Sequence, residues 1–221
     1  MEQLALALVA FVGSHELLSH PLRKTITGRI GEKGFEGLYS VVALATFAWV
    51  VFAFRATPVE VLWIAPPWVW TVGSLVMLAA SILFAGAFLA PNPSMNIMGD
   101  ALAKSPLPQG VMRITRHPML WSFALWAAVH AAVSGTGAVV LLSAGIGFLS
   151  LFGAKMQDRK KQQQLGQRWA AFEAASAFIP FGRGLVWPGW KPVIVGVLVF
   201  LAATWLHPRL GAPVVGIWEY L

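Results

Sequence analysis

Five histidines are the residues of this chain best suited to chemistry, and two of them stand inside apolar runs. His15 follows "LALALVAFVGS", and His130 ends "LWSFALWAAVH". An ionisable ring in an apolar run of membrane length marks a functional position by default. The plainer alternative is a neutral ring bonded to a carbonyl one turn away. His20 and His117 stand beside Pro and Arg at the ends of such runs, where interfacial water can satisfy them. His207 opens "HPR" and reads as a structural exit turn.

Metal ligation is the chemistry that two such rings suggest. His117 and His130 are thirteen residues apart, about 20 Å of helical rise, so they cannot bind one iron. A bis-His centre must draw on two elements, and His15 with His130 meets that requirement. Ser122, Trp126 and His130 repeat at four-residue spacing, which puts an indole and two polar groups on one helix face. The chain has no cysteine, which excludes disulfides, thiolate-held metal, Fe–S clusters and covalently attached haem. Structural zinc wants four ligands. Two imidazoles in an apolar setting suit haem b better, with Arg23, Arg113 and Arg116 as partners for its propionates.

The elements that carry these histidines read as membrane helices. Of 221 residues, 57% are hydrophobic and 11% charged, too few charges for a soluble domain. Six apolar runs emerge, at 2–20, 38–56, 67–90, 118–134, 137–154 and 192–206. Glu2 stands where a secretory leader would carry a basic residue, so the first run reads as a retained span. The fold class is therefore all-α: a polytopic bundle of about six transmembrane helices, with 1–221 as a single domain. Fourteen of the sixteen Lys and Arg fall in the connections after spans one, three and five; only Arg55 and Arg209 fall on the other side. That asymmetry predicts cytoplasmic basic connections and external termini, periplasmic in a bacterial inner membrane. It also assigns the net charge of +7 to topology and lipid phosphates, and not to nucleic acid. In "MQDRKKQQQLGQRWAAFEAASAFIPF", Trp169, Phe172 and Phe178 recur at roughly helical spacing. This predicts a helix continuing span five, then an amphipathic helix on the inner interface, ended by Pro180.

Four stretches carry a family resemblance: "GSHELLSHPLR", "GEKGFEGLYS", "GVMRITRHPMLWSFALWAAVH" and "GQRWAAFEAASAFIPF". They resemble the membrane family that joins NnrU proteins of denitrifying bacteria with 15-cis-zeta-carotene isomerases, over about residues 10 to 208. The resemblance implies haem b ligated by His15 and His130, and isomerisation of one cis double bond of a linear polyene taken from the bilayer. Ala127 stands where the isomerase branch has a Cys, so a thiolate ligand switch is not expected. The depth of the two histidines sets a tension. His15 lies roughly 8 Å above the inner end of its span and His130 roughly 18 Å above Pro118. Axial nitrogens on one iron lie about 4 Å apart. His15 with His117 is the competing pair by depth.

Two other functions fit parts of the sequence. "RHP", a span, a basic helix and "IPF" also resemble isoprenylcysteine and phospholipid methyltransferases, which hold S-adenosylmethionine with an RHP histidine and a pair of acids. Here "DRKKQQQLG" places Gln where the acids are expected, so the cofactor's amino group would lack its counter-charge. The third reading is a non-enzymatic haem protein linked to nitric-oxide metabolism.

Overall fold

The computed structural model describes residues 1–95 and 101–219, and among them the regular structure is helical. The helices are α1 (Glu2–Ser19), α2 (Arg23–Ala56), α3 (Pro67–Gly86), α4 (Ala101–Lys104), α5 (Pro118–Ser134), α6 (Gly137–Leu165), α7 (Gln167–Ala175) and α8 (Trp190–Leu206). Proline opens α3 and α5, at the one helix position where its fixed φ and missing N–H cost nothing. Gly135, at φ 60, ends α5, and Thr136 stands at the N-cap position of α6.

The helices α2, α3 and α6 are long and apolar enough to cross a membrane; α5 and α8 are apolar but have 17 residues each. Large apolar side chains such as Val41, Leu44, Phe52, Leu75 and Leu198 are exposed along these helices, as a lipid-facing surface requires.

Small residues set the close approaches. Gly145 lies against Leu8 and Gly153 near Glu16, so α1 and α6 run parallel. Gly147 lies against Ala127, so α5 runs antiparallel to α6. Gly196 abuts the Ile82 backbone, which packs α8 antiparallel to α3. Phe11 meets Phe47 and His15 meets Tyr39, which makes α1 and α2 an antiparallel hairpin. Gly31 breaks α2 at φ 71, ψ 174, a backbone conformation almost confined to glycine. The charged stretch before it is thus a separate helical segment leading into the apolar one.

As expected, α6 continues beyond its apolar part, to Leu165. The aromatic residues that follow behave differently from a lipid-facing amphipathic helix. Trp169 and Phe172 of α7 are fully buried against Leu102, Met112 and Leu165. The apolar side of α7 is satisfied by protein.

Candidate functional site

The connection before α5 carries the densest polar cluster. Arg116 donates from Nε to both Asp158 oxygens, each at 3.0 Å, and from Nη2 to Asp158 Oδ2 at 2.7 Å and Glu173 Oε1 at 2.9 Å. His117 Nε2 donates to Asp158 Oδ1 at 2.7 Å. A carboxylate only accepts, so the proton of this bond is on Nε2. Nδ1, the other ring nitrogen, is buried without a partner. Burial pushes the Asp158 carboxyl up, but the hydrogen bonds and charges of His117 and Arg116 outweigh it and hold the group below its ordinary value.

Backbone contacts fix this cluster in place. Thr115 Oγ1 donates to the Phe178 carbonyl at 2.6 Å, Arg116 N to the Ala177 carbonyl at 2.8 Å, and Phe181 N to the Ile114 carbonyl at 3.0 Å. Ser94 Oγ donates to the Arg116 carbonyl at 2.7 Å. The "MRITRHP" and "AFIPF" stretches, far apart in sequence, are thus one clamped unit. Sequence reasoning found no acid here. Asp158 was legible only as a lone acid in "QDRKKQQQ", and its facing of His117 depends on the register of α5 against α6.

The two histidines of the apolar runs stand on different helices, His15 on α1 and His130 on α5. His15 Nδ1 donates to the Phe11 carbonyl at 2.7 Å, and its ring meets Phe11 and Tyr39. His130 Nδ1 donates to the Trp126 carbonyl at 2.8 Å; its ring stacks on Trp126 with centroids 4.2 Å apart and faces His207 at 6.2 Å. The carbonyl bond one turn back fixes the Nδ1–H tautomer in both rings and leaves Nε2 with a bare lone pair. Such a bond satisfies a buried ring, and it is also how ligating histidines are oriented. The glycine contacts give the depths. His15 stands level with about residue 152 of α6 and His130 with about residue 144, an axial offset of about 12 Å. His117 stands level with about residue 157, an axial offset of roughly 8 Å from His15 on the other side.

The arginines divide as well. Arg116 is consumed by Asp158 and Glu173. Arg23 pairs with Glu32 and lies over the Phe35 ring. Arg113, on the 3-10 turn Gly110–Arg113, is exposed. Among the described residues, no group of three or more His, Asp or Glu gathers as a metal site.

Comparison with known proteins places this architecture. The sequence matches the family described as "NnrU protein" over residues 3–214. The chain belongs to the NnrU family. This NnrU-family chain is also 30% identical over 98 residues to "15-cis-zeta-carotene isomerase, chloroplastic" of Zea mays, and 31% identical over 100 residues to the protein of the same name in Arabidopsis thaliana. Each match covers 42% of this chain and 26% of the relative, so the shared part is about a quarter of those proteins. No solved structure matches.

Proposed function

We propose that this chain is a six-span membrane protein that isomerises a cis double bond of a linear, hydrophobic polyene, with haem b as its prosthetic group. The observation that carries the reading is the identity to the two carotene isomerases, within a family match that spans nearly the whole chain. The exposed apolar helix faces support it, since a polyene reaches such a protein through lipid. We place it in a bacterial inner membrane, where the division of basic residues would put both termini on the periplasmic side.

His15 and His130 are the residues that would hold haem. His15 and His130 each present a free Nε2 on a ring held by its own helix. Their α-carbons are offset by about 12 Å along α6, and the carbonyl bond one turn back swings each ring toward the other's level, which keeps the pair as the candidate ligands of one iron. When bound, haem would supply an open-shell or Lewis-acidic iron that lowers the order of a polyene double bond. Trp126 would hold the His130 ring by stacking. Arg113, exposed on the inner turn, is the arginine still able to meet a propionate.

Purified protein from haem-sufficient cells is expected to carry acid–acetone-extractable haem. His15→Ala and His130→Ala separate the arrangements. Loss of the low-spin Soret band in both variants is expected for a shared iron. Loss in one alone assigns a single protein ligand, and loss in neither removes the haem reading. Dark conversion of a tri-cis carotene in co-expressing cells, above empty vector, tests the isomerisation. A haem-loaded protein without that activity would favour the non-enzymatic reading.

A further inference from the structure

A cavity of about 320 Å³ lies beside the Arg116–His117–Asp158 cluster, between α2, the segment after α3, the start of α5 and the polar end of α6. Its two ends differ in chemistry. Asn92, Ser94, His117, Gln157, Lys160 and Lys161 line the polar end. Met95, Met119 and Leu120 line an apolar wall.

The polar end holds groups that its own protein surroundings leave unsatisfied. His117 has no exposed side-chain surface, and its Nδ1 is buried without a partner. Gln157 Oε1 is likewise buried and unpartnered. An unmet buried polar atom is costly to a fold, so the site has reason to hold a group that meets it. The charge is positive. Burial, then the neighbouring Arg23 and Lys161, lowers the Lys160 ammonium to about 8, against an opposing pull from Glu32. Burial and Arg23 lower Lys161 in the same direction. Glu32 is paired with Arg23, and Asp158 accepts from Arg116 and His117.

We propose that this cavity binds the phosphate monoester headgroup of an amphiphile, with the chain leaving past Met95, Met119 and Leu120. A singly ionised phosphate monoester matches the lining group by group. Its charged oxygens accept from Lys160 and Lys161, and its remaining P–OH donates to the bare Nδ1 of His117 or to Gln157 Oε1. A phosphodiester has no P–OH to give, and a bare carboxylate offers the imidazole nothing. The proposal does not depend on haem or on polyene chemistry.

The test uses the full chain, delipidated in detergent, and native mass spectrometry with three probes: dioleoyl phosphatidic acid, dioleoyl phosphatidylcholine and inorganic phosphate. Phosphatidic acid should be retained and phosphatidylcholine not. Millimolar inorganic phosphate should fail to compete. The double variant Lys160→Gln/Lys161→Gln should bind phosphatidic acid at least tenfold more weakly, and Lys155→Gln/Lys191→Gln, basic residues outside the cavity, should bind it as the parent does. Lys160→Gln alone keeps the test decisive if the double variant does not fold, with at least a threefold loss expected. Equal weakening in the outside variant, or equal retention of phosphatidylcholine, overturns the proposal. Full competition by inorganic phosphate replaces the amphiphile with the free ion and also overturns it.

Discussion

Asp158 is the acceptor on which the inner cluster depends. It takes hydrogen bonds from Arg116 and His117 at once, and both donors are nearly or fully buried. Removing it leaves a buried guanidinium with only the half-exposed Glu173 and a buried imidazole with no acceptor. Asp158→Ala should therefore cost about 3–5 kcal/mol, read as lower thermal stability in detergent. The pH dependence has a definite sign. The folded carboxyl titrates below its ordinary value of 3.8, so its contribution is fully present above that value. The contribution is lost as pH falls through the lower, folded value. Melting curves taken below pH 5 should show the parent losing stability once the pH drops under 3.8, and Asp158→Asn losing less. Such a residue was hard to find in the sequence because nothing local marks it. Its partners lie 42 and 41 positions away, and only the packing of α5 on α6 makes them neighbours.

Helix boundaries were far more legible than helix faces. The run read at 118–134 is α5 to the residue, because Pro118 and Gly135 are local start and stop signals. The run at 38–56 ends where α2 ends, while the start of α2 at Arg23 was hidden by charge. Gly31 marks the join between those two parts, and its conformation makes a specific demand. Gly31→Ala should destabilise by about 1–3 kcal/mol, since φ 71 with ψ 174 is strained for any side chain. Gly28→Ala lies in open space on the same helix and should be neutral, or stabilising by up to ~1 kcal/mol. Thermal unfolding of the two variants side by side checks this. Equal behaviour would mean that the break in α2 is not fixed by Gly31. The burial of Trp169 and Phe172 escaped the sequence for the opposite reason: an aromatic face reads the same whether lipid or protein covers it.

At the scale of the molecule, the long helices alternate in direction, as the glycine and ring contacts require. The division of basic residues then predicts which ends share a compartment. The absence of native cysteine makes this directly measurable. Lys33→Cys and Arg159→Cys should resist an impermeant thiol reagent in intact cells, and Glu60→Cys should react; all three positions are exposed. Labelling of the first two with a silent Glu60→Cys would invert the orientation. The clamp between residues 114–116 and 177–181 adds a constraint of timing. A ribosome adding roughly 5–20 residues per second needs about 3–12 s to pass from one half of the clamp to the other. For about 2–8 s of that interval, the time to add the 42 residues between Arg116 and Asp158, both Arg116 and His117 still lack that acceptor as α5 enters the bilayer. Membrane insertion of this chain therefore has a waiting step, in which two polar side chains are sheltered by water, headgroups or the insertion machinery until α6 arrives.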